Sequence, residues 1–516
     1  MAKKKKKENY KPNKWIFVLL FTIPLIFILL VTKQLDNDIW YLLSEGRYIF
    51  ENGIYHIDPL SMHEGLNVVV QNWLSATMFW IIYSIFGQMG LIIMVLICNF
   101  FICLLLYKIC MLISDRNYIL SLVVMFATNI TLIAHYIVTR PQILSFIVLL
   151  SLIYVLELYI KTDNKKYLIW IPILSLIEIN MHASLWWMLF LFMLPYVIDA
   201  FKCDLLQTQG YKKKPLFIAI AIAFIVGLIN PYGYKAITFI FTSYGDNYMH
   251  QFINELLPFT FNKDLCKHMF SIMLFIGLVY TFFREGKIRV RYICLFCGTL
   301  LLGFMSVKGF SHFILVSIFP LAYFFKDIFP KDFSDITNQL KKGLNIIYTV
   351  VGISSIVGFM VLFIITGQKN LMDNKAKSPM DAIATMFDPN TTKVYSSFND
   401  GGYVEFRHYK PYIDPRAELF LKKNNQKTDL FEEFYKLQHN QLDKQVFLDK
   451  YNFDVLLISK TDTLYNAMYN LEGYFIIYDN YEIGYRVYAN NNNFTEDERQ
   501  EIIDSYNVAI EKSANN

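Results

Sequence analysis

The chain has 516 residues, of which 55% are hydrophobic and 17% aromatic, with a mean hydropathy of +0.34 and a formal net charge of +5. That balance excludes an ordinary soluble protein, and a charge excess spread over short loops needs no nucleic-acid partner. The cysteines lie mostly in apolar runs and offer neither a disulfide framework nor a cysteine zinc motif.

Residues 1–14 are basic, and Lys3 to Lys7 read as a signal that holds the N-terminus in the cytoplasm. Trp15 to Thr32 is apolar, lacks a small-x-small cleavage site, and is expected to be an uncleaved first span. It leads into KQLDNDIWYLLSEG (33–46), which opens an external loop over 33–88. The end of that loop, NWLSATMFWIIYSIFG (72–87), is short for a span and is interrupted by Gly87 and Gly90. If it lies in the outer interface, every later Lys- or Arg-bearing loop, such as KTDNKK (161–166), falls on the cytoplasmic side. Spans are then expected near 90–113, 118–137, 141–160, 167–181, 184–201, 215–230, 268–283, 292–307, 312–328 and 345–366. With the first helix they make about eleven, and the odd count puts the C-terminus outside.

After residue 366 the composition turns polar. The tail, 367–516, reads as an extracytoplasmic α/β domain. Strands are expected in TKVYSSF (392–398), GYVEFRHY (402–409), PYIDP (411–415), FDVLLIS (453–459), YFIIYDN (474–480) and IGYRVYA (483–489). Helices are expected in MDAIATMF (380–387), KTDLFEEFYKLQ (427–438) and DTLYNAMYNL (462–471), with a polar helix in 490–516. The fold class is therefore a polytopic α-helical membrane domain over 15–366, with interfacial helices, followed by a C-terminal α/β domain.

This topology gathers polar residues at the outer ends of the spans, where their cost points to function. Asp36 and Asp38 follow the first span directly, and either could cap a helix starting near Ile39. One cap does not need two acids, so the other is a candidate general base. Asp58, in HIDPLS, is a further candidate acid, and its plain reading is a turn before Pro59. Arg140 precedes Pro141 at a helix start, and Lys308 and His312 sit in one outer loop, VKGFSH (307–312). These three could bind a phosphate, the guanidinium by a two-pronged contact; alternatively Arg140 snorkels to lipid headgroups. Asn180 and His182 share a tight outer turn, and NPYG (230–233) reads as a structural turn. Asp414 and Arg416 could pair structurally. No Gly-rich phosphate loop, zinc helix motif or nucleophile elbow is present.

The order of motifs DNDIWYLLSEG (36–46), DPLS (58–61), NWL (72–74), RPQ (140–142), NMH (180–182), NPYG (230–233), GGYVEF (401–406) and DPRAELF (414–420) resembles the GT-C superfamily of integral-membrane glycosyltransferases. Protein O-mannosyltransferases and the aminoarabinose transferase acting on lipid A belong to that superfamily. The resemblance covers about 30–420 and is nearest to a bacterial subgroup reading D-x-D-L-W-W-H-L-x-x-G after the first helix. This chain has Leu42 where that subgroup tends to have His. The resemblance implies transfer of a sugar from a polyprenyl-phosphate donor to an envelope glycan, lipid or protein acceptor at the outer face of the cell membrane. Asp38 or Asp36 would be the base. Arg140, Lys308 and His312 would face the donor phosphate, and Asp58, Trp40, Asn180 and His182 other parts of the substrate site. A divalent cation is a possible cofactor. The alternatives are an envelope-polymer transporter or scaffold, and a polymerase or ligase of lipid-linked glycans.

Overall fold

A computed structural model describes residues 14–31, 35–203, 208–243, 246–283, 288–329, 338–368 and 374–504. The basic start at Lys3 to Lys7 and the last part of the expected polar helix, 505–516, lie outside the described residues. In chain order the helices are α1 (Lys14–Val31), α2 (Ile39–Asn52), α3 (Trp73–Ile113), α4 (Tyr118–Ile133), α5 (Gln142–Thr162), α6 (Trp170–Met181), α7 (Trp186–Ala200) and α8 (Lys213–Val226). They continue with α9 (Tyr234–Ser243), α10 (Asn247–Phe252), α11 (Asp264–Phe282), α12 (Val290–Met305), α13 (Phe310–Ser317), α14 (Leu321–Phe324) and α15 (Asn338–Gln368). Two helices of the tail matter below, α16 (Lys377–Ala384) and α17 (Phe398–Phe406).

Among the described residues, six helical segments are long and apolar enough to cross a membrane. They are Trp73–Ile113, Gln142–Thr162, Ala183–Ala200, Asp264–Phe282, Val307–Phe324 and Asn345–Ile365. Of the other expected spans, 167–181 and 215–230 correspond to helices of only 12 and 14 residues. The expected interfacial piece and the span after it form one helical run, α3, interrupted at Gly87 with φ 60° and ψ −152°. A side chain there would strain the backbone, so the glycine is what lets the run break.

The chain divides into two compact units close to that break. The first contains 89–237 and 254–371 together with the N-terminal helix. Its apolar helices carry a few internal polar ties: Asn129 Nδ2 donates to Asn99 Oδ1 at 2.8 Å, and the Thr22 and Ser355 hydroxyls are 2.8 Å apart. Its most elaborate tie is Arg291, buried at the start of α12. Arg291 meets Glu157 on α5 at 2.9 and 3.0 Å, Asp199 on α7 at 2.7 Å and Gln209 at 3.0 Å.

The second unit joins 36–88 and 238–253 to the tail from 372 onward. Its sheet has the order β2-β1-β3-β5-β4. β1 (Lys393–Ser396) runs parallel to β2 (Lys410–Pro411) and β3 (Val455–Ser459), while β5 (Tyr485–Asn490) is antiparallel to both β3 and β4 (Tyr474–Asn480). All five residues of β3, VLLIS, are buried, as an apolar central strand requires. The 238–253 stretch is held by aromatic packing: the Phe252 ring lies 5.7 Å from Phe398 and 5.4 Å from Phe434. Two expected strands are corrected: PYIDP (411–415) contributes only Pro411 to β2, and the second is a helix. GYVEFRHY (402–409) is mostly α17, a helix whose Tyr403 and Phe406, three residues apart, both lie 4.7 Å from the Trp40 ring. That shared contact needs a helical period, and it overrides the local alternation.

Candidate active site

In the first unit, four of the residues singled out by sequence converge. Arg140 lies just before α5, His182 in the turn after α6, and Lys308 and His312 in the turn and first residues leading into α13. The Tyr136 hydroxyl donates to the Val307 carbonyl at 3.2 Å, and Gln142 Nε2 donates to Ser311 Oγ at 2.9 Å, which brings the 136–142 and 307–312 segments together. Ser145 Oγ lies 3.1 Å from His182 Nδ1, and Ser311 Oγ lies 3.4 Å from His312 Nδ1. Lys308 and His312 are both close enough to His182 to act on it electrostatically.

Sequence reasoning gave Glu255 no role. Arg140 donates to Glu255 Oε1 at 2.6 Å. The Lys308 and Val307 amides donate to the Glu255 and Leu257 carbonyls at 3.0 and 3.1 Å, which fixes the acid beside the cation loop. Burial pushes the Glu255 carboxyl up, but the Arg140 and Lys308 charges more than reverse this, so it lies below its ordinary value. Two cations around one carboxylate leave a net positive charge, the property an anion-binding site needs. Asn180 serves another purpose: its amide donates to the Leu176 and Ile229 carbonyls at 2.9 and 3.0 Å, tying α6 to the chain after α8.

In the second unit, Asp36 and Asp38 form the turn that starts α2. Asp38 is the N-cap residue, yet its side chain makes no capping bond; instead Asp36 Oδ1 accepts the Asp38 amide at 3.1 Å. Both acids are partly exposed. Trp40, one turn further, is buried against α17. Leu42 is fully buried, so the position where the resembling subgroup tends to carry His contributes to packing here. α2 lies hard against α3: a Cβ on Gly46 would sit 2.1 Å from the Ala76 carbonyl oxygen.

Asp58 is fully committed. Its Oδ2 accepts the Ser61 amide at 2.8 Å, the turn expected before Pro59, and its Oδ1 accepts Arg416 at 2.7 Å. Arg416 also meets Asp414 at 2.8 and 2.9 Å and Glu405 through a short contact, with Glu45 Oε1 3.9 Å away. All five side chains are buried. Burial works against the Arg416 charge, and Asp414, Asp58 and Glu405 more than offset it. One guanidinium cannot balance four carboxylates. Burial raises Glu405 well above the ordinary carboxylate range, against the pull of Arg416 and with the push of Asp414 and Asp58. Glu45 is pushed up to about 8 by burial, with Arg416 opposing and Asp414, Asp58 and Glu418 adding to the rise. Among the described residues no group of three or more His, Cys, Asp or Glu side chains is disposed to hold a metal ion. The densest acidic group is instead organised around Arg416, so no divalent-cation step is derived.

No protein-family model matches the chain, and no curated protein matches it in sequence. Solved structures do. The Archaeoglobus fulgidus oligosaccharyltransferase, tethered to an acceptor peptide containing the NVT sequon, aligns with a TM-score of 0.57 at 13% identity, covering 94% of this chain and 75% of that one. ArnT from Cupriavidus metallidurans, bound to undecaprenyl phosphate, aligns with a TM-score of 0.53 at 10% identity, covering 93% of this chain and 98% of that one. Apo ArnT gives the same TM-score at 12% identity. Both enzymes are GT-C glycosyltransferases. This chain shares the fold of these two enzymes and is a multi-pass membrane protein.

Proposed function

We propose that this GT-C-fold protein is a glycosyltransferase that moves a sugar from a polyprenyl-phosphate donor to an acceptor at the non-cytoplasmic face of the membrane. The observation that carries the reading is the fold likeness over nearly the whole chain to two sugar-transferring membrane enzymes, one of them bound to a polyprenyl phosphate. The cation cluster of the first unit fits such a donor. Arg140 and Lys308, with His312 and His182 beside them, provide net positive charge for a phosphate.

In this reading Asp38 or Asp36 takes the proton of an acceptor hydroxyl as its oxygen attacks the anomeric carbon, inverting it. The carbon–oxygen bond to the phosphate breaks, and its electron pair leaves on the lipid phosphate, where cations stabilise the growing charge. The phosphate ester carries the activation, so no nucleotide is consumed. The sugar is a hexose or pentose, and the acceptor is an envelope glycan, lipid or protein. Exposure favours the acids at the start of α2 over Asp58: they are partly exposed, whereas Asp58 is buried against Arg416.

The test is turnover by purified, lipid-reconstituted protein with a panel of polyprenyl-phosphate sugars, products being read by mass spectrometry. Asp38→Asn is expected to lower turnover by about 100-fold or more, the usual scale of general-base help, with donor binding retained. If Asp36→Asn and Asp38→Asn both keep near-normal turnover, neither acid is the base. If wild type turns over no lipid-linked sugar, the reading falls.

A further inference from the structure

A small cleft in the second unit is lined by Tyr41 and Glu45 of α2, by Gln71 and Asn72, and by Arg416 and Asn424. It has room, about 30 Å³, for roughly two water-sized groups. Two polar atoms on its walls are buried and lack hydrogen-bond partners, Glu45 Oε2 and Gln71 Oε1. The rest of each side chain is held in place. Gln71 Nε2 donates to Glu418 Oε1 at 2.6 Å, and Glu45 Oε1 faces Arg416 at 3.9 Å. Glu45 is 2% exposed. Asn424 is fixed by its bond to the Glu418 carbonyl at 2.8 Å.

A buried polar atom without a partner is costly, so two of them beside one opening call for a hydrogen-bonding group to enter. The occupant must bring O–H or N–H and must be small at its tip. A hydrocarbon chain has nothing to give these atoms, and a phosphate would meet Glu418 and the acids around Arg416 with like charge. We propose that this cleft is a sugar-hydroxyl subsite: one hydroxyl or hydroxymethyl arm of a sugar-bearing substrate enters it, donates to Gln71 Oε1 and accepts from the Glu45 carboxyl at Oε2, while the ring stays at the mouth. The proposal deepens the glycosyltransferase reading and rests on it for the identity of the sugar. The hydroxyl could belong to the donor sugar or to an acceptor glycan.

The test compares Gln71→Leu, Glu45→Leu and the shape-keeping Glu45→Gln with wild type. With a lipid-linked sugar that wild type turns over, Gln71→Leu and Glu45→Leu are expected to raise the KM for one substrate by about tenfold, the value of one lost hydrogen bond, with kcat changed much less. A KM rise for the donor assigns the subsite to the donor sugar, and a rise for the acceptor assigns it to the acceptor. Monodeoxy analogues of the affected sugar complete a cycle: the analogue lacking the entering hydroxyl should be poor on wild type and no poorer on Gln71→Leu. Normal KM values for both substrates in Gln71→Leu and Glu45→Leu would leave the cleft as a water site and overturn the subsite, while glycosyl transfer itself stands. If Glu45→Leu does not fold, Gln71→Leu and Glu45→Gln decide. If wild type turns over no lipid-linked sugar, thermal shifts with free monosaccharides at millimolar concentration still test the cleft. A shift in wild type that Gln71→Leu loses supports it, and no shift overturns it.

Discussion

Replacing Arg416 by Met removes the cation at the centre of the second unit and keeps most of the side-chain volume. The guanidinium has Asp58 at 2.7 Å, Asp414 at 2.8 and 2.9 Å, and Glu405 in short contact, all essentially without solvent exposure. Breaking one buried pair by removing one partner costs about 3–5 kcal/mol, because the other charge is left uncompensated. Here Asp58 and Asp414 lose the same partner, and Glu405, already raised well above the ordinary carboxylate range, loses a donor. About 5 kcal/mol is therefore a floor, comparable with the whole stability of many domains. The penalty has an escape: a buried carboxylate can take a proton, and each pH unit of that shift is worth about 1.4 kcal/mol. The deficit of Arg416→Met should thus be largest near pH 8 and shrink steadily toward pH 5. At roughly 2–4 °C per kcal/mol, the unfolding midpoint of the second unit should fall by about 10 °C or more near neutral pH. Hydrogen exchange of β1, β3 and α17, followed with temperature at both pH values, reads this directly. A midpoint within about 2 °C of wild type, or a deficit that does not depend on pH, would refute the argument.

Two further outcomes follow from the same geometry. Arg140→Ala should weaken binding of a polyprenyl phosphate by at least about tenfold, and Arg140→Lys should recover only part of it because an ammonium lacks the two-pronged contact; equal affinity in all three proteins, measured by titration in detergent, would mean that Arg140 only anchors α5. Glu45 has a folded value near 8 against an ordinary 4.5, so its contribution to stability is complete below about pH 4.5 and is lost as pH rises through 8, by up to about 5 kcal/mol; hydrogen exchange at the C-terminal end of α2 should show this slope, and a slope that persists in Glu45→Gln would assign it to another group.

Much of the scaffold was legible because it depends on local pattern. The apolar runs at 90–113, 141–160 and 345–366 each contain a long helix, and FDVLLIS and YFIIYDN contain the two strands their β-branched and aromatic residues predict. Gly87 was legible as a break because glycine alone takes that backbone conformation cheaply. What was not legible depends on distance along the chain. Asp58 and Arg416 are 358 residues apart, and no local rule pairs them, although DPR itself suggested the Asp414 contact. GYVEFRHY alternates like a strand, yet it coils because Trp40, far upstream, packs on two of its residues one turn apart. The 238–253 stretch fell between expected spans, and nothing local in it marks its packing against the tail, such as Phe252 on Phe398 and Phe434. Glu255 did carry a signal that went unused: it is a lone acid in an otherwise mostly apolar stretch, INELLPF, and such an acid needs either a partner or a purpose.

Exposure and the balance of partners separate the structural arginines from the one assigned to a ligand. Arg291 and Arg416 are 6% and 5% exposed, and their guanidinium groups face more carboxylates than they can neutralise: Glu157 and Asp199 for the first; Asp58, Glu405, Asp414 and the more distant Glu45 for the second. An incoming phosphate would have to displace a buried carboxylate from either and leave it unpaired, a loss no surface anion could offset. Arg140 differs on both counts. Its side chain is 20% exposed, its carboxylate partner Glu255 is 45% exposed, and Lys308 adds a second positive charge beside that acid. Exchanging Glu255 for a phosphate there returns the displaced carboxylate to water, where it costs little, and keeps both cations paired. The same comparison explains why sequence alone could not rank DPR against RPQ: both offer an arginine beside a proline, and only the number of acids that the fold brings to each decides which charge remains available.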